Sequence, residues 1–442
     1  MPDALGSEAE IEGAYRLMNN RSVTFEALVA AHADGTRQRA EEAADVLVLH
    51  DTTDCTFPHL DAKEIGYLQT GKAGFRLHLS LVVDARSWRR SLGVISAETA
   101  HRPKRSKAQQ AQRKKASGPA TAKWEDREFE RWWRGMRDAG DLLRGCQRVI
   151  HIADREGDSY ELMARLLGAS QRFVIRVRVG DRRGRVGDVG EEDWWTVKQV
   201  AANCEGLLER EVPLSRRMAK TAPDANRRNP PRSARIAGLR FAATRIEIPK
   251  PFYLRDVPET LCLNLVSVIE ENPPPNESAV EWLLYTTEPV ATAKQVANVV
   301  DDYRTRWTIE EFNAALKGGC AYEARHFESR QALLNMLALS LPVACEILSL
   351  RSRARCNPSA PATDVLTPLQ IRILRELGSR KLSVSPTAEE ALFALAALGG
   401  HLKCNGPPGW RILQRAMVKL LTYEAGWLAA QSSVPARQRK KM

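Results

Sequence analysis

The stretch DVLVLHDTT, residues 45–53, contains a short apolar run that ends at Asp51. The stretch CQRVIHIAD, residues 146–154, has the same organisation and ends at Asp154. Short apolar runs of this length are typical of buried strands. We therefore expect Asp51 and Asp154 to follow two strands of a sheet and to project together from one of its edges.

Further elements surround these two strands. Residues 9–45 are predicted to form two helices, with a turn at Asn19–Asn20. The alternating or apolar stretches predict strands at 74–84, 90–102 and 171–179, and helices are predicted at 124–138 and 158–168. Three strands in a meander, followed by helix, strand, helix and strand, indicate an α/β fold with a mixed sheet flanked by helices.

The chain changes character after this sheet. Four short strand candidates, separated by polar and proline-rich breaks, predict a β-rich insertion over 180–287. A long helix is predicted from Ala291 to Leu316, stopping at Gly318–Gly319. The remainder is predicted to be helical. The expected divisions are 1–44 (helical), 45–179 (first part of a core), 180–287 (insertion), 288–330 (second part of the core) and 331–442 (helical).

Composition favours a polyanionic partner. The 442 residues contain 66 Lys and Arg against 54 Asp and Glu, a formal net charge of +12, and neutralising phosphates releases condensed counterions. The eight cysteines are scattered without a Cys-x-x-Cys pair, which fits a reducing cytoplasm. The apolar stretch 333–350 contains Asn335, Pro342 and Glu346, so we interpret it as a buried core helix rather than a membrane span.

Two runs of positive charge are candidate nucleic-acid surfaces. Residues 102–115 contain seven basic residues and no acid, and residues 213–250 contain ten basic residues against two acids. Each run is equally compatible with a solvated loop or a DNA-facing loop.

Three acids are candidate metal ligands. Glu310, on the predicted long helix, would add a third carboxylate to Asp51 and Asp154. Magnesium prefers such hard oxygen ligands, with water and phosphate completing its shell. Two such ions support phosphodiester cleavage by in-line displacement. The alternative for any one of these aspartates is a turn or helix cap.

The predicted helix also groups four polar side chains. In DDYRTRWTIEEFNAALKGG, Tyr303, Glu310 and Lys317 are seven residues apart, and Arg306 lies one turn before Glu310. This face would grip phosphates around a metal ligand, or it is a solvated face with a weak Arg306–Glu310 pair. Spacing alone leaves both interpretations open.

The pattern Tyr-x-x-Arg-x-x-x-Glu-x-x-x-x-x-x-Lys at 303–317 resembles the signature of the insertion-sequence-four family of transposases, the group that includes the Tn-five transposase. The resemblance extends to HDTT at 50–53, IADREGD at 152–158 and WLLYTTEPV at 282–290. It implies an RNase H-like catalytic fold, interrupted by a β-rich insertion before the glutamate.

The resemblance also implies residue roles. Asp51, Asp154 and Glu310 would hold two Mg²⁺ ions, for which Mn²⁺ may substitute. The DNA contacts would come from Tyr303, Arg306 and Lys317 on phosphates and from Trp282 on a flipped base, unless Trp282 is a core residue at the start of a strand. In the segment after Asp154, which departs from the family, Arg176 could also contact DNA. The implied activity is cut-and-paste transposition of double-stranded DNA through a hairpin, by a bacterial, nucleoid-associated homodimer whose contact lies in the C-terminal helices.

Members of the family usually carry more residues before the first aspartate. Here EGAYRLMNNRSVTFEALV matches only part of the region that recognises transposon ends, so 1–44 is predicted to be a remnant of it. Two alternatives therefore remain: a shortened protein that binds DNA, dimerises and inhibits transposition, and a cellular nuclease with the same RNase H-like fold.

Overall fold

The computed structural model describes residues 7–68, 70–86, 88–100, 130–186, 194–219, 230–324, 326–327, 329–402 and 406–433. The basic run at 102–115 lies outside the described residues, as does part of the run at 213–250.

A large mixed sheet forms the centre of the molecule. Within the described ranges, nine strands form this sheet in the order β3-β2-β1-β4-β5-β11-β10-β9-β8, and β6 pairs with β7 separately. The strands are β1 (Asp45–Thr56), β2 (Gly74–Asp84), β3 (Ser91–Ala100), β4 (Arg148–Ala153), β5 (Arg172–Arg176), β6 (Arg183–Gly184), β7 (Trp195–Thr196), β8 (Gly206–Leu214), β9 (Arg235–Pro249), β10 (Thr260–Glu270) and β11 (Glu281–Thr286).

Helices cover this sheet and form the C-terminal region. They are α1 (Glu8–Asn19), α2 (Phe25–Ala43), α3 (Ala62–Ile65), α4 (Glu130–Leu142), α5 (Tyr160–Gly168), α6 (Val197–Asn203), α7 (Ala293–Arg304), α8 (Trp307–Ala314), α9 (Arg330–Cys356), α10 (Pro368–Leu377), α11 (Ala388–Leu398) and α12 (Trp410–Ser433). A π-helical segment, Ala315–Gly319, follows α8 directly.

The pairing of the strands confirms the predicted fold class. β1 is antiparallel to β2 and parallel to β4, and β4 is parallel to β5. Parallel neighbours need a crossover, and α5 joins β4 to β5 in this way. This mixed α/β architecture, with its helical C-terminal region, is consistent with an RNase H-like fold.

The strands of the predicted insertion extend the same sheet. β11 pairs with β5 through Leu284 opposite Arg176, and β10, β9 and β8 follow outward. Hydrogen bonds are therefore continuous from the first strands of the chain to β8. The proposed division at 180–287 remains a prediction about organisation.

Two predicted boundaries were wrong. β1 continues through Asp51 to Thr56, because its pairing with β2 extends to Thr56 opposite Gly74. The helix predicted from Ala291 to Leu316 is interrupted, since α7 ends at Arg304 and α8 begins at Trp307. At the break the amides of Thr305 and Arg306 bond three residues back, to Asp302 and Tyr303, instead of four.

The apolar helix α9 lies against the core. It is the one helix in the described part of the chain that is long and apolar enough to cross a membrane, by length and composition only. However, 61% of its most apolar window is buried inside the protein. Asn335, which is fully buried, donates to the main-chain oxygens of Met18 and Val23 and fastens α9 to the turn between α1 and α2. These contacts favour the core-helix interpretation.

Candidate active site

The sheet brings Asp51 and Asp154 to the same edge. The parallel pairing of β1 with β4 ends at Leu49 opposite Ile152, and each aspartate lies two residues beyond that pair. Below this edge, Leu49 and Ile152 are completely buried, which fixes both strands in the core. The Asp154 carboxylate accepts a hydrogen bond of 2.8 Å from the Glu156 amide, so it also caps the short 3₁₀ turn that follows.

Helix α8 carries the third acid. Ile309 and Phe312 are completely buried and hold α8 against the core, while the Glu310 side chain remains 47% exposed. The Arg306 Nη1 atom lies 3.1 Å from Glu310 Oε1. The apolar face of the helix thus leaves Glu310 at the surface beside a guanidinium.

The electrostatics of Asp51 show that the three acids lie near one another. Burial, the largest cause, and the charges of Glu310 and Asp154 together raise the pKa of the Asp51 carboxyl to about 7. The Arg306 charge acts in the opposite direction. A cation at this position would relieve the repulsion, because an opposite charge favours the ionised carboxylate.

The three carboxylates do not form a closed cage. Across the described ranges, no group of three or more His, Cys, Asp or Glu side chains is arranged to hold a metal ion. Each acid instead has a local partner: Asp154 the Glu156 amide, Glu310 Arg306, and Asp51 an amide of α8. The donor set of carboxylate oxygens nevertheless fits magnesium chemistry.

Asn313 is a site residue that the sequence analysis missed. Its Nδ2 atom donates to Asp51 Oδ2 over 2.9 Å, and the residue is only 8% exposed. Its Oδ1 atom is buried without a hydrogen-bond partner among the described residues. Because Asn313 lies one turn after Glu310, this bond ties the Asp51 strand to the helix that carries the third acid. The spacing of three residues from Glu310 was the available signal.

Tyr303, Trp282 and Arg176 form one cluster beside the acids. The Tyr303 and Trp282 rings meet edge to face with centroids 5.3 Å apart. The Arg176 guanidinium lies 5.7 Å from the Trp282 ring centroid and donates to the Glu281 carbonyl. Tyr303 is only 3% exposed, and burial raises the pKa of its phenol. Direct contacts of Tyr303 and Trp282 with DNA remain predictions.

Arg306 and Lys317 lie on either side of Glu310 along the chain. Arg306 is 8% exposed and close to Asp154 as well as to Glu310. Lys317 belongs to the π-helical segment, and its ammonium donates to the main-chain oxygen of Asp54 in β1. π-Helical segments are frequent at functional sites, and this one directs Lys317 to the strand of Asp51.

A buried histidine pair supports the sheet below the acids. His50 Nε2 lies 2.9 Å from His151 Nδ1, Ser80 Oγ lies 3.0 Å from His50 Nδ1, and Gln171 Oε1 lies 3.1 Å from His151 Nε2. Because the Gln171 oxygen only accepts, His151 donates to it and accepts from His50, which accepts from Ser80. All four ring nitrogens of His50 and His151 therefore have hydrogen-bond partners with both rings neutral.

Residues 134–344 match the family model described as the transposase DDE domain. The matched range contains Asp154 and Glu310, and Asp51 lies before its start. The match supports a DDE-type transposase, a class of enzyme that cuts and joins DNA and generally uses divalent metals.

Proposed function

We propose that this chain catalyses cut-and-paste DNA transposition, with Asp51, Asp154 and Glu310 as the metal ligands. The observation that carries the proposal is geometric: the β1–β4 register places Asp51 beside Asp154, and the Asn313–Asp51 hydrogen bond brings the Glu310 helix to the same strand. The resemblance to the insertion-sequence-four family and the matched transposase domain support the same assignment.

Asp154 would turn from the Glu156 amide, and Glu310 from Arg306, toward Mg²⁺, while Asp51 would keep its bond to Asn313. When the metal is bound, the chemistry supplied is activation of a water or 3′-hydroxyl and stabilisation of the leaving oxygen. Asn313 would hold the Asp51 carboxylate by its amide while Asp51 remains ionised. Arg306 would bind the phosphate beside Glu310, since a guanidinium matches phosphate geometry.

The remaining polar residues would bind the DNA strand. Tyr303 hydrogen-bonds to Arg176, so we propose that it orients this guanidinium toward a phosphate. Lys317 would bind a phosphate after leaving the Asp54 carbonyl. Trp282 would stack on a flipped base if the reaction proceeds through a hairpin. A homodimer joined through the C-terminal helices completes the proposal.

The deciding experiment compares two neighbouring glutamates. Glu310→Gln removes a proposed ligand, whereas Glu311→Gln removes a carboxylate that forms a two-bond pair with Arg355 on another face. We expect Glu310→Gln to lower Mg²⁺-dependent cleavage of the element's own ends by at least about a thousandfold. Glu311→Gln should stay within severalfold of the wild type.

The products distinguish transposition from the alternatives. Joining of the freed 3′ ends to target DNA by the wild type supports transposition. Hydrolysis without joining would indicate a nuclease, and end binding without cleavage would indicate an inhibitor. Equal activity of Glu310→Gln and the wild type would overturn the assigned site.

A further inference from the structure

A second group of basic side chains lies beside the acids. Arg155, Arg176, Arg178 and Lys198 line a cavity of about 250 Å³ that is completed by Val177, Gly180, Glu281 and Leu283. Arg155 follows Asp154 directly in the chain. One lining residue therefore adjoins a candidate metal ligand in the chain, and the cavity lies between β5 and helix α6 of the predicted insertion.

The charge of this cavity is largely uncompensated. In the described part of the chain, the guanidinium groups of Arg155 and Arg178 form no salt bridge, and the Lys198 ammonium lies 3.9 Å from the exposed Asp181 carboxylate. Glu281 is the one acid among the lining residues. Burial lowers the pKa of Arg176, and the charges of Arg155 and Arg306 lower it further. Four cations thus face one lining carboxylate.

The backbone around the cavity is fixed. Asp158 Oδ2 accepts from the amides of Arg178 and Val179 over 2.6 and 3.2 Å, and its Oδ1 atom binds Arg182 over 2.7 Å. The Lys198 stem packs on Gly180, where an added Cβ would lie 2.6 Å from Lys198 Cε. Glycine at 180 therefore permits the close approach of α6 that brings Lys198 to the cavity.

We propose that this cavity, defined by Arg155, Arg176, Arg178 and Lys198, binds backbone phosphates of the DNA strand that leaves the acids along β5. A lining in which four cationic side chains outnumber the Glu281 carboxylate favours an anion, and guanidinium groups match phosphate oxygens. The inference rests on the proposed function and deepens it, because Lys198 would add a DNA contact from helix α6 of the predicted insertion to those from the sheet.

The test measures the salt dependence of DNA binding by the full chain. The probe is a fluorescent DNA duplex of arbitrary sequence, and binding is titrated at several salt concentrations without divalent metal. Removing one phosphate contact lowers the slope of log affinity against log salt by about one. We expect this loss for Lys198→Gln and for Arg178→Gln.

Two matched variants complete the test. Arg178→Lys keeps the charge and should keep the wild-type slope. Lys294→Gln removes an exposed lysine at the start of α7. Because β11 runs antiparallel to β5, this lysine lies at the sheet edge opposite the acids, and its removal should also leave the slope unchanged. If Lys198→Gln fails to fold because its stem packs on Gly180, Arg178→Gln decides alone.

The outcomes separate the two proposals. Wild-type slopes for the neutral variants overturn the cavity as a phosphate site while leaving transposition intact. A wild-type chain that does not bind DNA overturns the proposed function itself. Slopes reduced equally in Lys294→Gln would show a general charge effect and would also overturn the cavity.

Discussion

Asn313 links the strand that carries Asp51 to the helix that carries Glu310 through one hydrogen bond. Its amide donates to Asp51 on β1, and it lies one turn from Glu310 on α8. A carboxylate that must bind a metal benefits from such a partner, because outer contacts fix the orientation of the ligand. The bond also requires Asp51 to accept, which the ionised carboxylate does.

Replacing Asn313 should weaken metal use more than folding. For Asn313→Ala we expect the Mg²⁺ concentration for half-maximal cleavage to rise about tenfold or more, as is usual for outer contacts of metal sites. At saturating Mg²⁺ the rate should recover most of its wild-type value. Asn203→Ala, in an exposed helix end, is the control. An unchanged Mg²⁺ requirement would show that the Asn313 bond is incidental.

At this scale the sequence predicted site residues only where a strand or a family pattern marked them. Asp51 and Asp154 were predicted because each follows an apolar run, and Glu310 because of its place in a long signature. Asn313 was marked only by its spacing from Glu310, since its contact with Asp51 arises from the approach of α8 to β1. The burial of Tyr303 was also missed, because it depends on the packing of Trp282.

At the scale of elements, strands were predicted more closely than the helix that carries Glu310. The stretch predicted at 74–84 coincides with β2, because alternation and flanking turns define it. The helix over 291–316 showed no Pro or Gly, yet it breaks between Arg304 and Trp307. The local sequence pattern did not mark this break.

A buried ion network fixes α7 to the sheet. Glu288, which is 3% exposed, binds Arg172 through two hydrogen bonds and also binds Arg148. Arg148 in turn reaches Asp302 of α7 at 3.2 Å. Because α7 leads directly to α8, the network sets the position of the Glu310 helix relative to β4 and β5.

Glu288→Gln should destabilise this junction. The change leaves Arg148 and Arg172 without their shared carboxylate, and breaking a buried pair is costly. We expect a loss of about 2 kcal/mol in the free energy of unfolding, below the usual cost of breaking a buried pair because the Arg172 side chain is 42% exposed. Urea unfolding followed by tryptophan fluorescence measures it.

Glu12→Gln provides the control for this measurement. Its pair with Arg16 is exposed, so the free energy of unfolding should change by no more than a few tenths of a kcal/mol, about the value of a surface pair. Equal stability of Glu288→Gln and the wild type would show that the network does not hold α7 in place.

The whole molecule depends on one sheet that runs through the predicted core and the predicted insertion. The class of fold followed from the sequence, because apolar runs and helical periods alternate as in other mixed sheets. The joining of β11 to β5 did not, since strand order depends on pairing between distant residues. The C-terminal helices surround a separate apolar cluster that includes Ile373, Leu395 and Leu413.

Buried neutral histidines make the stability of this molecule depend on pH. Burial lowers the pKa of His151 to about 4, of His32 to about 4 and of His78 to about 3, from an ordinary value of 6.5. At these histidines the unfolded chain therefore binds more protons than the folded chain between these values. The stabilisation is fully present above about pH 6.5 and is lost as the pH falls toward 4.

Thermal unfolding between pH 7.5 and 4.5 tests this expectation, and the midpoint should fall steadily below pH 6.5. His151→Gln should flatten the profile, because glutamine keeps a polar side chain beside Gln171 and His50 but cannot take up a proton. His326→Gln is the control, because this histidine is exposed to solvent. A wild-type midpoint independent of pH over this range would contradict the neutral, fully bonded arrangement of His50 and His151. The steepness of the profile measures how strongly burial in the sheet disfavours protonation of these histidines.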